Sequence, residues 1–222
     1  MQQKQDIKGF TLLELIVVVV IIGIVSAAGY PQFSKWSKDR EVRAATEKVA
    51  SMMASANTQS QKGYFPFVQF VVIPGSDKVK FITKGMNQDK LNTNLNQSTS
   101  KLIDCNFSTA NYWSKEIESY VAEVKVNIDK TSAVCFSKDG SLFQEKAKFE
   151  DKEVQQITLD GRLSSNYFII CSKSSSSGSG SGAISLLGNV GGCTEKPAYL
   201  VEWSRFGNIK KFRMSNKGWT RQ

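Results

Sequence analysis

Between Phe10 and Tyr30 the chain carries one charged side chain, the carboxylate of Glu14, in a run that continues LIVVVVIIGIVSAAGY from Leu15. A carboxylate in such apolar company is costly to keep charged, by a few kcal/mol to roughly ten in lipid. It is tolerated when paired and hydrogen-bonded. The chemistry open to Glu14 is therefore ion pairing, most directly with an amine. Acid–base catalysis has little to draw on. The sequence contains no histidine, which removes the commonest general base and the commonest metal ligand near neutral pH.

The remaining candidates for chemistry are four cysteines and a cationic tail. Cys105, Cys135, Cys171 and Cys193 show no C-x-x-C spacing, so two disulfides in an oxidising compartment are the simpler reading. Four cysteines allow three pairings. Cys171 and Cys193 flank a Ser/Gly-rich loop at the ends of two expected strands, which favours joining them. That closes a loop worth roughly 3 kcal/mol in chain entropy and leaves Cys105 with Cys135. The segment RFGNIKKFRMSNKGWTRQ holds Arg205, Lys210, Lys211, Arg213, Lys217 and Arg221 with no acidic residue, interleaved with Phe206, Phe212 and Trp219. Such a mixture can hold nucleic acid through phosphates and stacking, or it is a solvated hairpin with its aromatics in the core. The net charge of +9 fits an acidic partner as well as plain solubility. No nucleotide-binding loop, nucleophile elbow or metal-ligand cluster is present, so no cofactor or metal is expected and the chain is read as not an enzyme.

These groups need elements to position them. The stretch from Phe10 to Tyr30 is long enough, at about 1.5 Å per residue, to cross a bilayer as a helix. Lys4 and Lys8 before it place the N-terminus in the cytoplasm and all that follows outside it. A removable secretory signal ending at Ser26-Ala27-Ala28, or a plain anchor, accounts for the apolar run but gives no use to Gly9 or Glu14. Beyond Pro31, which should bend the helix, apolar residues Phe33, Trp36, Ala45, Val49, Met52, Met53 and Ala56 recur at helical spacing. Gly63 is the expected stop. From residue 64 the segments YFPFVQFVVIPG, KVKFITKG, AVCFSKDGSLFQ, VQQITLDGRLSSNYFIICS, AYLVEWS and NIKKFRMS read as strands and hairpins, with turns at Asp139-Gly140 and Asp160-Gly161. WSKEIESYVAEVKVNID is helix or strand. MNQDKLNTNLNQSTSK, amide-rich, reads as a loop, and KSSSSGSGSG as a flexible one. The expected class is α+β: a long N-terminal helix on a mostly antiparallel β head. The expected division is 1–9 leader, 10–30 apolar helix, 31–63 amphipathic helix and 64–222 head.

The order Lys8-Gly9-Phe10-Thr11-Leu12-Leu13-Glu14 resembles the processing site of bacterial type IV prepilins and type II secretion pseudopilins. The resemblance implies cleavage between Gly9 and Phe10 by a prepilin peptidase, with N-methylation of Phe10. It implies pairing of Glu14 with the Phe10 amine of a neighbouring subunit, and a helix-kinking proline at Pro31. The partners implied are other pilin subunits and an inner-membrane assembly machinery. The location implied is the inner membrane, single-pass, then a periplasmic or extracellular filament. The head, through Phe136, Asp139, Gly140, Ile157, Leu159, Asp160, Gly161, Arg205, Gly207, Ile209 and Lys210, is similar to H-type pseudopilins and FimT-type minor pilins. That implies a minor subunit, with DNA uptake as the alternative role, carried by Gly207-Asn208-Ile209-Lys210-Lys211-Phe212-Arg213. This stretch lacks the first arginine of the Gly-Arg-x-Arg pattern of DNA receptors. A secreted β-domain enzyme is the reading from a different class.

Overall fold

In a computed structural model of the chain, the residues described are 11–97, 105, 113–128, 130–138, 157–159, 162–164, 166–173, 193, 197–204, 206–215 and 218–222. The chain divides into two compact units, Met1–Asp39 and Arg40–Gln222. Helix α1 runs over Leu12–Gln61, a contour of about 75 Å.

The helix ends where its backbone bonds are capped. Gly63 adopts φ 77°. Its N–H reaches the carbonyl of Ser60 at 3.0 Å, and the Tyr64 N–H reaches that of Gln59 at 3.2 Å. This pair of bonds satisfies two of the orphaned last-turn carbonyls, and the left-handed position suits a residue without Cβ. Within the second unit, Val42, Ala45, Val49, Met52, Met53 and Ala56 are all buried. They follow the three-and-four spacing of one helix face. Phe33 and Trp36, read from sequence onto the same apolar stripe, are exposed, at 64% and 53%.

The strands, all antiparallel where paired, are β1 (Phe67–Ile73), β2 (Val79–Met86), β3 (Trp113–Ala122), β4 (Val124–Val126), β5 (Ser132–Ser137), β6 (Ile157–Leu159), β7 (Arg162–Ser164), β8 (Tyr167–Ser172), β9 (Ala198–Trp203), β10 (Ile209–Ser215) and β11 (Gly218–Arg221). They form a four-stranded sheet ordered β3-β2-β1-β5, a five-stranded sheet ordered β11-β10-β9-β8-β4, and the β6–β7 hairpin. A helix, α2 (Gln88–Gln97), stands between β2 and β3. The segment WSKEIESYVAEVKVNID resolves as β3 and β4.

One core joins α1 to the inner faces of both sheets, through Val68, Phe70 and Val72 of β1, Phe81 of β2, Phe136 of β5, and Phe168, Ile170, Tyr199, Val201 and Trp203 of β8 and β9. A row of rings links the sheets. Tyr120 lies 6.2 Å from Phe81, Phe81 6.2 Å from Phe70, Phe70 6.2 Å from Phe168, and Phe168 5.9 Å from Trp203. Such pairs contribute about 0.5–1.5 kcal/mol each beyond burial alone. The outer sheet faces carry smaller clusters. Leu91 of α2 joins Met86, Trp113 and Cys135 on one. Leu159, Tyr167, Ile169, Leu200, Phe212 and Met214 make up the other.

The loop reading of MNQDKLNTNLNQSTSK is corrected by α2. Leu91 packs on the sheet, and Asp89 occupies the first turn, where a carboxylate meets the positive end of the helix dipole. One buried leucine is a weak periodic signal in an amide-rich string, so tertiary contact decides the helix.

Candidate functional site

The first turn of α1 is built by Thr11 and Glu14. The Glu14 N–H donates to the Thr11 hydroxyl at 3.2 Å, and the Leu15 N–H donates to the Thr11 carbonyl at 3.2 Å. Thr11 is thus the N-cap, and Glu14 is the third residue of the helix. This is the residue order of a capping box. A carboxylate in the first turn also meets the helix dipole favourably. Sequence reading singled out Glu14 and passed over Thr11. The signal that finds Thr11 is the Thr-x-x-Glu spacing ahead of an apolar run. Gly9 and Phe10, the expected cleavage position, lie outside the described residues.

Past this cap, every large apolar side chain from Leu12 to Val25 is 47–78% exposed. Burying one Val, Leu or Ile is worth about 1.5–3 kcal/mol. A dozen of them facing water on one helix therefore needs a cover, from lipid or from other apolar helices. No single helix among the described residues is long and apolar enough to cross a membrane. The bent pair Leu12–Ala27 and Gln32–Gln61, at 46° to each other, meets the length and composition together. The break spans positions 28–31, including Pro31, whose side chains lie outside the description.

The cationic tail is placed on β10 and β11, and strand alternation splits it. Lys211 pairs with Val201 and Arg213 with Tyr199, so these two cations share the face that carries the main core. The Arg213 guanidinium lies 5.9 Å from the centre of the Tyr199 ring. Lys210 pairs with Glu202 and Arg221 with Phe212, on the opposite face. Of the interleaved aromatics, Phe212 is fully buried, Trp219 packs on the outer cluster, and Phe206 is 68% exposed. Arg205 and Lys217 lie outside the described residues, as do the Asp139-Gly140 and Asp160-Gly161 turns and most of the Ser/Gly loop.

Two disulfides are present, Cys105–Cys135 and Cys171–Cys193, with Cα separations of 5.8 and 5.7 Å. Each ties a segment to the outer face of a sheet. Cys135 lies opposite Gln69 in the ladder, and the Gln69 amide donates to the Cys105 carbonyl at 2.9 Å. No group of three or more metal-ligating side chains occurs among the described residues.

Residues 4–30 match the family described as prokaryotic N-terminal methylation motif. Two fimbrial proteins of Pseudomonas aeruginosa are each 38% identical to this chain over 56 residues, which are 25% of this chain and 36% of each relative. The match thus spans little more than a third of the relatives, and this chain is the longer. No solved structure matches it significantly. The likeness to these fimbrial proteins and to the methylation motif thus covers a limited part of the chain.

Proposed function

We propose, from the match of residues 4–30 to the N-terminal methylation motif and the likeness to two fimbrial proteins, that the chain is a pilin-like filament subunit of the type IV pilin kind. A prepilin peptidase cuts it after Gly9, and it is then N-methylated on Phe10. Before assembly it sits in the inner membrane with its N-terminus in the cytoplasm. Assembly machinery then moves it into a periplasmic or extracellular filament, alongside copies of itself or other pilins. The observation that carries this reading is the exposed helix from Leu12 to Val25, with one carboxylate, Glu14, in its first turn. Other copies of the same helix cover such a surface, and a neighbour's Phe10 amine neutralises Glu14. Pairing between subunits relieves the cost of the charge only when they are in register. The role is structural rather than enzymatic. The longer head agrees with a minor subunit or pseudopilin rather than the main building block.

The test is the mass and N-terminal sequence of the mature protein from a host with a prepilin peptidase. A chain starting at methylated Phe10 supports the reading. A chain starting at Met1, or near Gly29, overturns it. Glu14→Gln should leave cleavage intact and sharply reduce incorporation into filaments.

A second reading, DNA capture by a minor subunit, is favoured by Lys211 and Arg213, which share one face of β10, the strand next to the sheet edge. DNA phosphates neutralised there release counterions, so binding weakens with salt. The double substitution Lys211→Ala and Arg213→Ala should lower the log–log salt slope by about 2. An unchanged slope in a mobility-shift titration removes this reading.

A further inference from the structure

We infer that the stretch after the apolar run is a membrane-interface collar: Phe33 and Trp36 seat in the headgroup zone of the outer leaflet, while Lys35 and Lys38 bind anionic phospholipid phosphates. This rests on the membrane-anchored reading above and adds the lipid chemistry that the anchor recognises.

Three observations carry it. The first is exposure. Phe33 and Trp36 are 64% and 53% exposed, apart from the buried stripe with which sequence spacing groups them. Their rings meet at 5.8 Å, tilted by 45°, as a joined aromatic knob on the helix surface. Tryptophan, apolar with one N–H, concentrates where hydrocarbon meets headgroup, and Phe33 adds apolar area beside it.

The second is depth. Counting from Phe10, the path along the helix reaches Phe33 at about 35 Å and Trp36 at about 39 Å, and the 46° bend between Leu12–Ala27 and Gln32–Gln61 lowers their depths to about 33 and 36 Å. The hydrocarbon core is about 30 Å thick, and the headgroups add about 5–8 Å on each side. A span that begins at Phe10 therefore places the two rings at the outer headgroups.

The third is charge. Lys35 and Lys38 are exposed beside these rings. Between Phe10 and Lys35 the sequence contains no cation. Cations next to a span attract anionic lipids, and the attraction falls off within about one Debye length, ~10 Å at 0.1 M salt. The placement is unusual, since the orienting bias for cations lies on the cytoplasmic side, where Lys4 and Lys8 stand. Lys35 and Lys38 thus serve something other than orientation. Charge complementarity favours anionic lipid over a second copy of this chain, which brings the same positive segment.

The full chain is reconstituted at low protein-to-lipid ratio into phosphatidylcholine vesicles, with or without about a third phosphatidylglycerol. The lipids carry a bromine quencher near the headgroup or deep in the chains. Subtracting the signal of Trp36→Phe isolates Trp36 from the other tryptophans. The expected result is strong shallow quenching and weak deep quenching, with the shallow component raised by phosphatidylglycerol. That increase is lost in Lys35→Gln/Lys38→Gln and in high salt. If the chain inserts but Trp36 escapes the shallow quencher, or responds equally to both lipids, the collar is overturned and the anchor stands. If the chain stays in solution while vesicles sediment, the anchor fails and the collar with it.

Discussion

The hydroxyl oxygen of Thr11 accepts the backbone N–H of Glu14 at 3.2 Å. This bond fixes the start of α1 at Leu12, with Thr11 as its cap. It holds Glu14 in the first turn by backbone geometry, whatever its carboxylate meets. A charge that must find a neighbour's amine is thereby presented at a set height on the rod. The cap is local chemistry, and the assembly proposed above depends on where it places Glu14.

Thr11→Val keeps the shape of the side chain and removes the acceptor. An N-cap is worth about 1 kcal/mol, so amides of Leu12 to Leu15 should exchange about fivefold faster in detergent micelles. Thr11→Ser should exchange like the parent. If Thr11→Val protects these amides as well as Thr11 does, the cap does not set the helix start.

The turn between β9 and β10 docks on α1 through Gly207. This residue has φ 77°, and an added Cβ would collide with the Asn57 side chain. The Asn57 amide also donates to the Phe206 carbonyl at 3.4 Å. Gly207→Ala therefore meets two obstacles: a left-handed backbone, costing about 1–2 kcal/mol, and a collision. Adding Asn57→Ala removes the collision and leaves the backbone strain. Thermal unfolding should show Gly207→Ala lower by several degrees, about 2–4 °C per kcal/mol, with partial recovery in the double variant. Equal melting of Gly207→Ala and the parent would show that the turn yields.

Legibility in the sequence followed the strength of the local pattern. The stripe Ala45, Val49, Met52, Met53 and Ala56 and the stop at Gly63 could be read because periodicity and a positive-φ glycine act within a few residues. The β6–β7 and β9–β10 hairpins could be read because short segments of strand-forming residues follow each other closely in the sequence. Phe33 and Trp36 share the exposed part of the helix rather than the buried stripe, because the gap of nine positions from Trp36 to Ala45 breaks the three-and-four spacing. The α2 helix was missed because one contact, Leu91 on the sheet, outweighs an amide-rich composition. The strand β11 escaped notice because Gly218-Trp219-Thr220-Arg221 is too short to alternate visibly and is held by pairing to β10. The cationic tail looked like one patch in the sequence. The pleat divides it, because neighbouring residues point to opposite faces.

Cys171 and Cys193 are both buried in the outer cluster of the five-stranded sheet, and their bridge closes a loop of 22 residues. The chain-entropy contribution is about 3 kcal/mol. Cys171→Ala/Cys193→Ala should therefore shift the urea midpoint clearly downward, with a slope equal to or steeper than the parent's because the unfolded chain is no longer cross-linked. A midpoint equal to the parent's would mean that the segment around Cys193 is held by contacts alone.

The ion pair between Asp77, before β2, and Lys173, after β8, ties the ends of the two sheets together and gives a pH signature. The Asp77 carboxyl is held below its ordinary range, first by the hydrogen bond from Lys173 and then by its charge. The Lys173 ammonium is held above its ordinary range, first by the hydrogen bond to Asp77. A lowered carboxyl pKa stabilises the fold above the unfolded aspartate value of about 3.9. That contribution is lost as pH falls through the folded value. The raised ammonium stabilises below the unfolded lysine value of about 10.4 and fades as pH climbs through the folded one. The pair is solvent-exposed, so the effect is small and screened by salt. The stability gap between the parent and Asp77→Asn should thus be widest near neutral pH. It should close below about pH 3, where Asp77 is protonated in both states, and narrow in high salt. A gap that persists unchanged at low pH would assign the effect of Asp77→Asn to the shape of the β1–β2 turn rather than to its charge.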